Sequence, residues 1–209
     1  MKRIICVCIM ALALMGSMAV QAEEYDWSEY RNSLSISVGA PSGYYAFRGL
    51  FVDIWVSALD HADNAMYYGS YSMQYHYQVL RWLRVGFKGS WEGDSHDMYT
   101  DKEKTTQKGK SFGHTVALMA STQFTYLNKR HVQLYSGIDV GPGVMLRENR
   151  YINGYTDSDG KTYNLSYTFL PDFNVTPIGV CFGNERVYGL AEVNIGADAF
   201  FKGGIGVHL

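Results

Sequence analysis

Residues 131 to 146, HVQLYSGIDVGPGVML, alternate between apolar side chains and side chains that are mostly small or polar. Val132, Leu134, Ile138 and Val140 belong to the apolar set. A period of two predicts a β-strand with one apolar face. In a soluble barrel that face would point inward, whereas in a membrane barrel it would point outward to lipid. The side on which this face lies therefore separates two classes of protein.

Eight segments of the chain show this alternation, and each is bounded by Gly, Asn, Asp or charged residues. The segments are residues 34–40, 66–77, 83–91, 112–126, 131–146, 165–181, 187–197 and 201–209. Long connections follow strands 1, 3 and 5, whereas short ones follow strands 2, 4 and 6. With both termini at the end that carries the short connections, this layout predicts an all-β fold. The fold expected is an eight-stranded antiparallel up-and-down transmembrane β-barrel with short periplasmic turns and longer external loops.

Residues 41 to 63 depart from the alternation of the strands. Apolar side chains recur there at spacings of three and four, and Ser42 is placed to cap a helix. We therefore predict one amphipathic helix, residues 43–60, after strand 1. It would lie either in the outer membrane interface or over the mouth of the barrel; a poorly paired hairpin is the alternative.

The less apolar face of the strands decides the orientation. A soluble surface would be dense in Lys and Glu, but this face carries mostly Ser, Gly, Thr, Gln and Tyr. Its few charges are Arg84, Lys88, Glu92, Asp139, Glu192, Asp198 and Lys202. The opposite face carries no charge in strands 1 to 5, 7 and 8, as contact with lipid requires. We predict that Asp139 points into the barrel, with Arg84 or Lys88 as its partner, because an unpaired buried charge is costly.

The interior of an eight-stranded barrel has room only for side chains. The residues predicted to fill it are Tyr68, Gln74, His76, Arg84, Lys88, Gln123, Tyr135, Asp139 and Glu192. The residues predicted for the aromatic girdles of the lipid face are Tyr67, Tyr75 or Tyr77, Phe112, and Phe124 or Tyr126. Pro171 and Pro177 interrupt strand 6, so we expect a bulge or a shift of phase there.

The first 22 residues, MKRIICVCIMALALMGSMAVQA, have the basic start, apolar stretch and small terminal residues of a secretory signal peptide. We expect a signal peptide over residues 1–22 and an outer-membrane β-barrel domain over residues 23–209. Removal of the signal peptide would leave Cys181 as the one cysteine, so no intramolecular disulfide is expected. The 17 Tyr and 22 Gly favour β-structure, and a net charge of -2 gives no basic face for nucleic acid.

Four stretches carry a resemblance to a known type of protein. They are VLRWLRVGFKGSW, YLNKRHVQLYSGIDVG, VTPIGVCFGNERVYGLAEVNIG and FKGGIGVHL. They resemble the strand-turn-strand segments of the small, porin-like outer-membrane β-barrel proteins of Gram-negative bacteria, over nearly all of residues 23–209. The resemblance implies a location in the cell outer membrane, with lipid around the barrel.

The function expected is that of a non-enzymatic outer-membrane barrel with a plugged lumen, which displays external loops for envelope integrity, adhesion or partner binding. One alternative is a lipid-modifying or proteolytic barrel enzyme, built on His114 with Ser111, Thr115 or Asp94 as nucleophile and base partners. A narrow pore and a soluble ligand-binding barrel are the others.

The six His residues and Cys181 show no metal-ligand spacing, and DSDG at 157–160 lacks the remaining acidic positions of a calcium loop. We therefore assign no catalytic, cofactor-binding or metal-binding residue. The partner expected is outer-membrane lipid, without nucleic acid, and the barrel is expected to be a monomer. The partner of the external loops is left open.

Overall fold

The computed structural model of the protein describes residues 30–42, 62–100, 106–129, 131–157, 159–196 and 198–209. They form eight strands, which we number in chain order. These are β1 (Asn32–Ser42), β2 (Ala62–Leu80), β3 (Leu83–Tyr99), β4 (Gln107–Asn128), β5 (Val132–Tyr151), β6 (Tyr163–Gly183), β7 (Val187–Gly196) and β8 (Ala199–His208). The predicted helix over 43–60 and the predicted signal peptide over 1–22 lie outside the described residues.

The eight strands close into one barrel. Each strand is antiparallel to the next, and β8 pairs with β1 to complete the ring. Connections 81–82, 129–131 and 184–186 lie at the end where β1 starts and β8 finishes, which we call the turn end. Connections 100–106, 152–162 and 197–198 lie at the opposite end, which we call the loop end. The eight antiparallel strands and the short connections at the turn end confirm the predicted barrel.

The hairpins at the loop end are longer than predicted, and their loops are shorter. Residues 91–111 were expected to be mostly loop, but β3 continues to Tyr99 and β4 begins at Gln107, with regular pairing from Glu92 to Met98. In the same way β5 extends to Tyr151. The charged residues in these stretches hid the strands from the hydrophobic pattern, because a strand that protrudes into water needs no apolar face.

Burial alternates along the strands, with the apolar side chains on the outside. Ile36 and Leu118 are 55% and 62% exposed, whereas their neighbours Ser37 and Met119 are 7% and 0% exposed. In the stretch from 131 to 146, Ile138 and Val140 point outward, and Asp139 between them is buried. The predicted orientation of the two faces is therefore confirmed, and the fold is a barrel with a polar interior and an apolar exterior.

A bulge in β2 corrects the prediction for two tyrosines. Tyr67 pairs with Asp94 and Gly69 pairs with Gly93, so Tyr68 is an extra residue on its strand. Gly69 has a φ of 98°, a backbone conformation that Gly adopts without steric cost. Because the extra residue shifts the phase of the alternation, Tyr68 is exposed outside the lumen, and the hydroxyl of Tyr67 is buried. The assignments of Tyr68 to the lumen and of Tyr67 to the outer girdle were wrong.

The phase shift predicted for the sixth strand is confirmed. The register of β6 with β7 slips between Val175 and Ile178, at Pro177. Thr176 is buried before the slip and Cys181 is buried after it, while Ile178 points outward. The bulge thus keeps the apolar residues of β6 on the outer wall.

Two large rings inside the barrel lie over glycines of the neighbouring strand. A Cβ atom at Gly179 would be 2.4 Å from Cζ of Tyr135, its register partner, and one at Gly206 would be 2.3 Å from Cζ of Tyr188. The missing side chains leave the space in which the rings pack, since protein interiors have few voids.

We expect Gly179→Ala to lower the free energy of unfolding by about 1–3 kcal/mol, because the new methyl group overlaps the Tyr135 ring. The measurement is the urea midpoint of the folded band on unboiled gels. Gly89→Ala is the matched control, since a Cβ there meets nothing within 4 Å. Equal urea midpoints for the two variants would contradict this packing.

Candidate functional site

Five charged side chains meet in the middle of the barrel, and we call them the lumen network. Its members are Lys88, Asp139, Glu192, Asp198 and Lys202. All are buried; Lys88 is 1% exposed and Asp198 is 0% exposed. They come from β3, β5, β7, β8 and the β7–β8 connection, and each occupies an inward position of the alternating pattern.

The members of the lumen network form a chain of alternating charge. Nζ of Lys88 lies 2.9 Å from Oδ2 of Asp139 and also contacts Oδ2 of Asp198. Nζ of Lys202 lies 2.7 Å from the same Asp198 oxygen and 2.6 Å from Oε2 of Glu192. Asp198 is thus shared by two lysines, and each buried cation lies between two carboxylates. The predicted pairing of Asp139 with Lys88 is confirmed.

Neutral side chains complete the hydrogen bonds of the carboxylates. Ser121 donates to Oδ1 of Asp139 at 2.6 Å, and Asn174 donates to Oδ2 at 3.0 Å. The Tyr135 hydroxyl donates to Oε1 of Glu192 at 2.5 Å, and the backbone N–H of Ala199 donates to Oδ1 of Asp198 at 2.8 Å. A buried carboxylate needs such additional donors, because a single ion pair leaves most of its lone pairs without a partner.

The network and its hydrogen-bond partners contain residues from all eight strands. Ser70 of β2 donates to Asp198, and Lys202 donates to Ser72 of β2, whose hydroxyl lies 2.8 Å from that of Ser37 on β1. Ser121 belongs to β4, and Asn174 belongs to β6. The interior therefore connects opposite walls of the barrel across the lumen, in addition to the pairing of adjacent strands.

Sequence reasoning found the charges of the network but missed several of its neutral members. Asn174 and Asn194 are 0% exposed, and Asn174 donates to Oδ1 of Asn194 at 3.2 Å. Thr176 donates to the same oxygen at 2.6 Å. For Asn174 and Thr176, the signal in the sequence was the alternation of polar and apolar side chains on either side of Pro177. This alternation defines one inward face only when a shift of one residue is placed at Pro177. Of the other residues predicted for the lumen, Gln74, His76, Arg84 and Gln123 are buried as expected.

The structure does not assemble the catalytic group considered for an enzyme. His114 has the parity of the outward-facing Val116, and its ring stacks on Trp91 at 5.8 Å between centroids. Ser111 has the opposite parity and is 1% exposed. His114 and Ser111 thus lie on different faces of β4, and the structure does not bring this pair of side chains together.

Within the described ranges, no group of three or more His, Cys, Asp or Glu side chains is arranged to hold a metal ion. The carboxylates of the lumen network are occupied by lysine ammonium groups and by neutral donors. The described residues include no helix that is long and apolar enough to cross a membrane.

Five strands extend beyond the closed ring at the loop end. β7 and β8 have 10 residues each and β1 has 11, whereas β2 to β6 have 17 to 22. We call the extension the protruding sheet. It comprises residues 62–69, 93–99, 107–114, 141–151 and 163–173. It carries ion pairs on its outer side, Lys110 with Asp97 at 3.7 Å and Arg150 with Glu148.

The fold and the interior together define a class, the closed eight-stranded antiparallel β-barrel with a charged interior and an apolar outer wall. Solved structures similar to this chain include the N-terminal β-barrel domain of Pseudomonas aeruginosa OprF. It is 12% identical, with a TM-score of 0.42, and the match covers 86% of this chain and 99% of that chain. Another is Ail, the attachment invasion locus protein of Yersinia pestis. It is 11% identical, with a TM-score of 0.38, and the match covers 84% and 93% of the two chains.

These similarities have low sequence identity and concern the backbone fold alone. No protein-family model and no curated protein matches the chain.

The lumen network predicts a strong dependence of stability on its cations. We expect Lys88→Met to lower the free energy of unfolding by about 3–5 kcal/mol, because it leaves Asp139 with no cation and Asp198 with one. The double variant Lys88→Met with Asp139→Asn removes the uncompensated charge and should recover part of the loss. Urea midpoints of all three proteins test this expectation, and a single variant within about 0.5 kcal/mol of wild type would refute it.

Proposed function

We propose that this chain is a non-enzymatic outer-membrane protein whose barrel crosses the membrane with a closed lumen and holds the protruding sheet outside the cell for partner binding. The observation that carries the proposal is the inverted polarity of the wall. Exposed Ile36, Leu118 and Ile205 surround an interior that buries Lys88 and Asp198. A water-facing wall would have no reason to place its charges inside.

The outer wall of the closed ring supports contact with lipid. Residues of outward parity between 34 and 40, 83 and 91, or 201 and 207 include no Lys, Arg, Asp or Glu. Outward-facing charges begin in the protruding sheet, at Asp97, Lys110, Glu148 and Arg150. On β3, β4 and β5 the outer surface therefore stays uncharged up to the rim of the ring and for a short distance beyond it, and charges follow only within the protruding sheet.

The height of the ring suits a bilayer. β1 has 11 residues, and at about 3.3 Å per residue and a tilt of about 40° it rises about 28 Å, close to the ~25 Å apolar band of outer-membrane barrels. Aromatic side chains are exposed near the turn end, where Trp82 stacks on Phe124 at 6.2 Å and Tyr75 and Tyr77 point outward. Aromatic residues at the membrane interface are typical of such barrels.

The filled interior favours display over transport. The lumen network joins opposite walls, and Met119, Asn174 and Asn194 beside it are fully buried. The part of the molecule left to act on the surroundings is the protruding sheet, which is placed outside the cell if the turn end faces the periplasm.

The first test is the location of the full-length chain expressed in a Gram-negative cell. We expect it to float with outer-membrane vesicles and to migrate faster on gels before boiling than after boiling. Recovery as a soluble periplasmic monomer would overturn the proposal.

A second test distinguishes lipid from water at the outer wall. Ile36 lies in the middle of β1, and Val207 lies near the turn end of β8. We expect Ile36→Arg to cost about 2–4 kcal/mol of stability in lipid vesicles and Val207→Arg about 0–1 kcal/mol, because the cost of a cation depends on depth. If the wall faced water, both changes would stay within about 0.5 kcal/mol.

The closed lumen predicts that the purified protein, inserted into planar lipid bilayers, gives no steady ion current at neutral pH. Insertion is checked separately by protease protection of the barrel. A steady current from the inserted wild-type protein would contradict the closed interior and favour the narrow pore instead.

A further inference from the structure

We infer that the free edge of β6, residues Tyr163–Phe169, is a docking site for an extended segment of another polypeptide, which adds to the protruding sheet as a further β-strand. The inference deepens the proposed function, on which it rests, by naming the edge that binds and the kind of partner that fits it.

The half of β6 nearer the loop end is paired on one side only. β7 pairs with the half nearer the turn end, from Asn174 to Gly183. Residues Tyr163–Phe173 pair with β5, and within the part of the chain that the structure describes they pair with no second strand. Their side chains are accordingly open to the surroundings; Tyr167 is 69% exposed and Phe169 is 72% exposed.

The direction of the backbone groups on this edge follows from a pair of prolines. Pro171 of β6 lies directly opposite Pro142 of β5. Proline has no N–H, so these two residues cannot form a hydrogen-bonded pair, and the pairing alternates from there. The register stays continuous up to Arg150 opposite Tyr163. Beyond it the N–H of Tyr151 donates to the C=O of Thr162, as the same alternation requires.

The odd-numbered residues therefore direct their N–H and C=O groups away from β5. These residues are Tyr163, Leu165, Tyr167 and Phe169. They offer four donors and four acceptors in a row, which is the pattern that an incoming strand pairs with. Pro171 supplies no donor and ends the row toward the membrane.

This edge lacks the usual protection against pairing. Natural edge strands are blunted by charges, prolines, bulges or short length. Residues 163–170, YNLSYTFL, contain no charge and no proline. A long, uncharged edge with open backbone groups is a template for another strand.

The side chains indicate what kind of strand fits. Tyr163, Leu165, Tyr167 and Phe169 are exposed on the outer side, where Tyr167 and Phe169 meet edge to face at 6.1 Å. The inner side carries Asn164, Ser166 and Thr168. The partner that fits is an uncharged extended segment with apolar side chains on one face and small polar ones on the other.

A second copy of this chain fits the edge less well. Two copies that stand upright in one membrane run their β6 strands in the same direction, each tilted about 40°. Two-fold related edges would then cross instead of lying side by side. We therefore assign the edge to a different polypeptide.

The test uses the full-length protein folded in detergent and a fluorescent, acetylated heptapeptide of alternating threonine and valine. We expect saturable binding, with slowed amide exchange at Leu165, Tyr167 and Phe169. Tyr167→Pro removes an N–H that points to the edge but leaves the β5 ladder intact, and it should weaken binding at least about tenfold. Tyr167→Val is the matched control, which keeps the N–H and should bind within about threefold of wild type.

Folding and membrane insertion are followed separately by the shift on unboiled gels and by vesicle flotation, which Tyr167→Pro should retain. If that variant fails to fold, Leu165→Pro replaces it, and the exchange measurement on the wild type stands independently. Absence of binding to wild type, equal binding to Tyr167→Pro, or protected amides elsewhere would overturn the inference. Concentration-dependent, disulfide-linked dimers of the Tyr167→Cys variant would assign the edge to a second copy and overturn the inference as well. Failure of flotation, in contrast, would reject the proposed membrane location and leave the peptide result to be judged by itself.

Discussion

The chain of alternating charges through Asp139, Lys88, Asp198, Lys202 and Glu192 is the interaction on which the rest of the barrel depends. Two buried lysines are tolerated only because three carboxylates and their neutral donors surround them. Those donors lie on β2, β4, β5, β6 and β8, so the register around the whole ring has to bring them to one level. The polar interior of this barrel thus has the stabilising role that an apolar core has in a soluble domain. The apolar side chains lie on the outer wall.

The position of Asp198 connects the lumen network to the shape of the loop end. Asp198 lies in the short β7–β8 connection, yet its carboxylate reaches two lysines inside the ring. A longer β7–β8 hairpin would carry this carboxylate out of the lumen and leave both lysines with one carboxylate fewer. The short hairpin thus keeps this carboxylate beside both lysines, while β2 to β6 continue past it and form the protruding sheet.

The sequence alone was sufficient for the strand count, the two faces and the charged members of the network, because a period of two is a direct consequence of strand geometry. It failed where that period is interrupted. The bulge at Gly69 exchanged the sides of Tyr67 and Tyr68, and nothing local distinguishes this glycine from the others in the strands. The neutral donor Asn174 and its partner Asn194 were missed because their roles depend on the registers of β5 to β7. Pro177 was informative because proline has a known effect on a strand.

The free edge of β6 follows from the same two constraints. Because the β7–β8 hairpin ends at Asp198, β6 loses its second neighbour above Asn174, and its odd-numbered backbone groups have no partner in the described chain. The facing prolines, Pro142 and Pro171, cost the β5–β6 ladder no hydrogen bond, since both occupy positions that make none between these two strands. The short β7–β8 hairpin that places Asp198 beside two lysines thus also leaves these β6 backbone groups without a strand partner among the described residues. This row of N–H and C=O groups on β6 is the docking site that we infer.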